Sequence, residues 1–313
     1  MAETAFLTGP PLTRPGSLIT RDGQIQWAGL LMGPGTPYQI DRSGVTGWED
    51  LPALDTGDIA RPDQHGAWPG ARWAQPRIVE ASVWLLPSTA GLSAHDVTAG
   101  FRAATGAEGG EQWLTVRLHG EALALKARVS RRVVPNDRSF ARDGTARATV
   151  QWTATDPRRY SVEEHSEGAR LPRTEDGLVW QDERGLGLAF PLDWGSTGGA
   201  GAFTVLNAGS AATRPVIEFR GPLRRPALTR LSDGRRLQYD IALGPQDVLT
   251  VDTETGTVLL NGTASRLYTA TSASSPEQLF HLEPGRTPLV FRSDDLEPHP
   301  DASVTVRWRD AHW

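Results

Sequence analysis

The chain has 313 residues, a formal net charge of −5 and 38% hydrophobic residues, with 33 glycines and 23 prolines. This composition is apolar enough for packed cores and lacks the basic excess of a dedicated duplex binder. Cysteine is absent, which excludes disulfides, thiolate catalysis and cysteine-based zinc or iron–sulfur centres.

The length predicts two domains. The N-terminal stretch lacks the charged-then-apolar pattern of a secretory signal, and no apolar run approaches 18 residues, so neither export by that route nor a membrane span is expected. Residues 17–32 alternate on both sides of Asp22-Gly23, which predicts a hairpin turning there. Residues 33–76 are rich in Gly, Pro and Trp with little periodicity. They are too long for a passive loop and read as an arm that orders on a partner, with Trp48, Trp68 and Trp73 as its candidate inter-subunit residues; the alternative is an Ω-like lid folded back over its own domain. Residues 77–86 (RIVEASVWLL) predict a core strand. Ser93 is a good N-cap, and Val97, Phe101 and Ala104 share a face, predicting a helix to about Ala104. Strands are expected at 113–118, 122–134 and 146–154, with a turn at Asn136-Asp137-Arg138. Residues 1–160 thus read as an α+β domain with one helix.

The polar, charged stretch 161–176 is placed as a linker, followed by a domain over 177–313. Trp180 to Trp194 carries several aromatics, and Ser196-Thr197-Gly198-Gly199 reads as a loop. From Phe203 to Gly262, turns at Gly209, Gly221, Gly234, Gly244 and Gly256 separate short alternating strands, the spacing of an antiparallel sandwich or jelly roll. Leu237, Tyr239, Ile241 and Leu243 alternate with Gln238, Asp240 and Ala242, the clearest strand pattern of the chain. Positive φ is expected at Gly221 and Gly256. Further strands are expected at 266–270, 278–282, 287–292 and, from Val304, Val306 and Trp308, at the C-terminus. The fold class predicted is mainly β.

The chemical inventory is sparse. The histidines (65, 95, 119, 165, 281, 299 and 312) form no HExxH and no close cluster with carboxylates. Neither a nucleophile elbow nor a phosphate loop occurs. Carboxylates pair at Glu49-Asp50, Glu163-Glu164 and Asp294-Asp295; a glycosidase cleft needs such a pair, and a solvated turn needs nothing more. The tryptophans suit sugar stacking or interface anchoring. No catalytic, cofactor-binding or metal site is assigned, and a structural or binding role is expected.

Several stretches carry a family resemblance. Asn207-x-Gly209, Pro215, Gly221, Pro226, the run Leu243-Gly-Pro-x-Asp247 and Asn261-Gly262 resemble the C-terminal domain of siphophage distal tail proteins. Leu18-Ile19 to Trp27-x-Gly29-Leu30, the stretch Arg61-Pro62 to Gly70, and Trp152-x-Ala154-x-Asp156-Pro157-Arg158-x-Tyr160-Ser161 are similar, in the same order, to the N-terminal half of tail hub proteins from phages of actinobacteria. The resemblance implies a galectin-like C-terminal sandwich and an N-terminal belt domain that forms a hexameric ring. It also implies partners: the tail tube protein above, tail-tip or fibre proteins below, and DNA only as it passes through the lumen. It implies a virion protein of the tail tip, assembled in the host cytoplasm, with no cofactor, no catalysis and no membrane insertion. The alternative is a carbohydrate-binding module of a host-adsorption device.

Overall fold

The structure, a computed structural model, describes residues 14–87, 91–107, 109–172, 201–295 and 299–313. Strands dominate, and the chain divides into two compact units after Val162, with His312 and Trp313 grouped with the first. Among the described residues no helix is long and apolar enough to cross a membrane.

The first unit is framed by β1 (Gln24–Trp27), β2 (Leu30–Met32), β3 (Tyr38–Thr46), β8 (Arg77–Leu85), β9 (Gln112–Leu118), β10 (Glu121–Val133) and β11 (Ala146–Ala154); β4 to β7 (Leu54–Thr56, Ile59–Ala60, Ala67–Trp68 and Arg72–Ala74) form an arm. The frame is hydrogen-bonded in the order β2–β1–β9–β10–β11–β8–β3, and β12 (Arg159–Ser161) pairs with β10 at Leu123 and Ala124. The long β10 joins its two halves: Glu121 to Ala127 pairs with β9, and Arg128 to Val133 pairs with β11 across a register shift between Val129 and Arg131. A bulge of this kind bends a strand. Period-two patterning turns Val79, Ala81, Val83 and Leu85 of β8 inward with Ala148, Val150 and Trp152 of β11. Helix α1 (Ala94–Ala104) lays Val97 and Phe101 on this core, and Phe101 meets the ring of Tyr38 at 6.2 Å. Ser93 caps it, accepting from the Asp96 amide at 3.1 Å.

Two readings of this half change. The hairpin turns at Ala28-Gly29, both at positive φ, rather than at Asp22-Gly23. The carboxylate of Asp22 accepts instead from the Gly120 amide at 2.8 Å and from Arg117 at 3.1 Å. The expected turn at Asn136-Asp137-Arg138 opens a second helix, α2 (Arg138–Asp143). Asp137 caps it through the Phe140 amide at 3.0 Å, and Gly144 at φ 65° ends it.

The second unit packs two antiparallel sheets. One contains β13 (His165–Arg170), β15 (Val216–Arg220), β20 (Val248–Asp252), β21 (Thr257–Leu260), β22 (Ala264–Ser265) and β24 (Ser303–Trp308), in the order β13–β24–β15–β20–β21–β22. The other contains β14 (Ala202–Asn207), β17 (Ala227–Arg230), β18 (Arg236–Gln238) and β23 (Gly285–Arg292), in the order β14–β23–β17–β18. A short pair, β16 (Leu223–Arg224) and β19 (Ala242–Leu243), stands apart. Ile217, Phe219, Leu249, Val251, Val304 and Val306 from the first sheet share a core with Val205, Leu228, Leu289 and Phe291 from the second.

Here too the sequence reading is corrected. Residues 165–170, read as linker, are β13, paired with β24 from His165–Trp308 to Arg170–Ser303. It is an edge strand, where polar side chains are tolerated on the solvated face. Residues 173–200, with Trp180 to Trp194 and Ser196 to Gly199, lie outside the described residues. The run Leu237 to Leu243 is broken between β18 and β19, where the Asp240 amide donates to Thr269 O at 2.7 Å. The segments 266–270 and 278–282 are not strands; 3-10 turns occupy Leu267–Thr269 and Glu277–Leu279. Gly256 has φ 72°, whereas Gly221 is required by close approach: a Cβ there would meet Gly244 O at 2.1 Å.

The residues that carry the family resemblance here hold one another. The Asn207 amide nitrogen donates to Ala211 O (2.8 Å) and Leu282 O (3.1 Å), while its oxygen accepts from Gly209 N at 3.1 Å. Asp247 accepts from Gly244 N (2.8 Å) and from the Asn261 amide (2.9 Å). Asn261 closes the loop by accepting from Val248 N at 2.9 Å. These are turn-fastening roles, with no vacant coordination or catalytic geometry.

Candidate assembly surface

The segment between β3 and β8 has a fixed root and a projecting arm. At the root, Gly47 lies against β8; a Cβ there would meet Ile78 O at 1.9 Å. Its amide donates to Asp50 at 2.8 Å, and the turn delivers Trp48 into the core of its own unit, 1% exposed. Arg77, the first residue of β8, is buried beneath the turn. One guanidinium nitrogen donates to the carbonyls of Gly47 (2.9 Å), Trp48 (3.0 Å) and Asp50 (2.6 Å), and Nε donates to Pro157 O at 2.7 Å. Burial, with the neighbouring Arg159, lowers its pKa to about 10, against the opposing pull of Glu49 and Asp50; it stays charged at neutral pH. Trp48 is thus a core residue and not part of an inter-subunit contact. An indole beside a strand that buries alternate residues recovers more apolar burial inside its own domain than in a projection.

Beyond the root the chain forms one long hairpin of two nested ladders, β4 against β7 at its base and β5 against β6 beyond them. The Gln75 amide closes the base by donating to Ala53 O at 2.7 Å. Asp58 accepts from Gly70 N at 2.8 Å, where Gly57 and Gly70 touch so closely that a Cβ on Gly70 would lie 2.2 Å from Gly57 backbone. Cross-strand pairing sets Ile59 beside Trp68 and Asp55 beside Trp73. The Arg61 guanidinium lies 4.4 Å over the Trp68 ring, leaving that indole half-covered. Trp68 is 58% and Trp73 70% exposed, and Leu51, Leu54 and Ile59 are exposed alongside them. Short hairpins that bury so little are marginal alone, and exposed apolar clusters of this kind mark contact sites.

The structure also shows a feature that sequence patterning missed. A groove of about 600 Å³ lies between the β1–β2 turn, the C-terminal end of α1 and β10. Gly29, Gly100, Ala103, Gly106 and Gly110 line it with Arg128. Small residues in separate elements leave no periodic signal, so only the folded chain brings them together.

Elsewhere the candidate chemistry resolves into local structure. Among the described residues no group of three or more His, Asp or Glu residues is poised to hold a metal. Of the paired carboxylates, Glu49 meets Arg159 at 3.0 Å, Asp294 meets Arg225 at 3.2 Å, and Asp295 accepts from Arg224 N at 2.9 Å. Two clefts of the second unit, around Arg225–Asp294 and Leu223–Asp295, are lined among the described residues by charged and aliphatic side chains, with the His299 imidazole on the second.

Residues 208–312 match the family model of the siphovirus-type tail component, C-terminal domain. Among solved structures, the Dit protein of phage SPP1, described as a paradigm of the hub adsorption apparatus in phages infecting Gram-positive bacteria, has 12% identity and a TM-score of 0.60 over 92% of this chain and 98% of its own. A chain of the phage P2 baseplate in its activated conformation with calcium has 10% identity and a TM-score of 0.48 over 87% and 90%. No curated protein matches the sequence. Residues 208–312 are therefore a siphovirus-type tail component C-terminal domain, and the chain as a whole shares the fold of a siphophage distal tail protein.

Proposed function

We propose that this chain is the structural hub of a siphophage tail tip: six copies form a ring that joins the tail tube to the tail-tip baseplate or fibre proteins. The observation that carries the reading is the tail-component domain over residues 208–312. The N-terminal unit is the ring-forming belt in this reading, the second unit decorates it, and DNA only passes through the lumen. The protein acts by assembly and not by catalysis, as part of the virion.

The arm supports the reading. Fully burying a large apolar side chain stabilises by about 1.5–3 kcal/mol, and an arm presenting Trp68 and Trp73 to solvent leaves that stabilisation unused in a lone chain. The arm crosses a subunit boundary, and the ring is its partner. Negative-stain imaging of the purified full chain, alone and mixed with tail tube protein, tests this. Closed rings that cap tube ends are expected; single particles that leave tube ends bare would refute it.

A further inference from the structure

We infer that the groove between the β1–β2 turn, α1 and β10 is the acceptor for Trp73 of the neighbouring copy, with Asp55 of that arm facing Arg128. The inference rests on the ring reading above and names the contact that reading leaves open.

Three observations converge. First, shape: the groove's lining includes Gly29, Gly100, Ala103, Gly106 and Gly110, residues with little or no side chain, beside the larger Trp27, Leu30 and Val129. An indole fills such a floor far better than an aliphatic side chain does, and large aromatics in fitted pockets dominate interface energetics. Second, the choice of indole: Trp48 is buried and one face of Trp68 is covered by Arg61, so Trp73, 70% exposed against 58% for Trp68, is the arm tryptophan with most surface to bury. Third, charge: Asp55 is directly cross-strand from Trp73, so both side chains leave the same face of the arm. Arg128 lines the groove. Both are exposed, and among the described residues neither the Asp55 carboxylate nor the Arg128 guanidinium makes a side-chain hydrogen bond or ion pair. One carboxylate beside the indole thus matches one guanidinium beside the groove.

The arrangement also has the right symmetry. Donor and acceptor are different surfaces, one between β3 and β8, the other between β1–β2, α1 and β10. A contact between unlike surfaces is heterologous and propagates head to tail, closing into a ring when the rotation allows. A two-fold dimer would need one patch to meet itself.

The native chain lacks cysteine, so introduced thiols report a single contact. Ala71→Cys lies two residues from Trp73 on the same face of the arm, and Ala103→Cys lies in the groove floor. The full chain carrying both, treated with a short bismaleimide, is expected to give a ladder of covalent oligomers up to the ring size, and neither single variant is. Separately, Arg128→Glu should raise the concentration for half-assembly roughly tenfold, and Asp55→Arg in the same chain should restore it. Rings that need the arm yet give neither ladder nor charge rescue overturn the acceptor and leave the ring reading standing. A wild-type chain that forms no ring overturns both. Rings that survive removal of the arm also overturn the acceptor.

Discussion

The root and the tip of one segment invite comparison. Both contain tryptophan beside glycine and proline, and in the sequence Trp48, Trp68 and Trp73 look alike. Yet Trp48 is 1% exposed and Trp73 70%. The difference lies in what each meets. Trp48 follows a glycine that presses on β8 and sits above a buried arginine that satisfies the carbonyls of Gly47, Trp48 and Asp50. Trp73 sits on a ribbon with nothing behind it but another hairpin strand. Exposure of a large side chain on an ordered, well-fastened scaffold implies a partner, whereas the same side chain at a clamped turn implies a core.

The comparison breaks most sharply at Trp48. Trp48→Ala should destabilise the N-terminal unit by about 3–5 kcal/mol, the cost of a buried aromatic cavity, measured by chemical denaturation. A loss under about 1 kcal/mol would place Trp48 with the tip residues. Arg77→Leu comes next: it leaves the carbonyls of Gly47, Trp48 and Asp50 without their donor. About 3 kcal/mol of destabilisation is expected, with protease cleavage appearing at residues 47–53 while the frame resists. By contrast, Trp68→Ala with Trp73→Ala should change the stability of the unassembled chain by no more than about 0.5 kcal/mol while abolishing rings. Destabilisation as large as that of Trp48→Ala would show that the arm belongs to its own core.

The smallest effect concerns acid. Asp41, on the strand that leads into the root, accepts from Trp84 at 2.9 Å and pairs with Arg147. The Trp84 hydrogen bond first, then the Arg42 amide and Arg147, lowers its pKa to about 2. A carboxyl whose folded pKa lies below its unfolded value of about 3.9 contributes stability above that value. That contribution is lost as pH falls from about 4 through about 2. Asp41→Asn should flatten the acid limb of the N-terminal unit in this window and leave neutral-pH ring formation unchanged; an unchanged acid limb would remove Asp41 from the account.

How much was legible follows the same division. Period-two runs such as 77–86 and 146–154 were readable because burial alternates along them, and α1 because Ser93 caps a 3.6-residue stripe. The sandwich turns were readable from Asn207-x-Gly209, Asp247 and Asn261, whose side chains fasten backbone a few residues away. What failed depended on distant partners. Tyr38 to Thr46 carries no clean alternation because its register breaks between Ile40 and Val45 against β8. Residues 165–170 are polar yet form an edge strand because β24 offers a complete ladder. Arg77 heads an apolar run with nothing local to announce a clamp, and the groove gathers small residues from three elements. The tail-component resemblance was legible because its turn motifs are local, whereas the role proposed for the arm depends on a partner surface.

The account stands on the arm holding a ring together, and native mass spectrometry tests that most directly. The hairpins can be removed cleanly, since Ala53 and Gln75 are already hydrogen-bonded at their base; a two-residue turn replacing residues 54–74 keeps Trp48 and the Arg77 clamp. The full chain should appear at six times its monomer mass and the shortened chain, still folded, at the monomer mass. A full chain that stays monomeric, or a shortened chain that keeps the sixfold mass, would contradict the account.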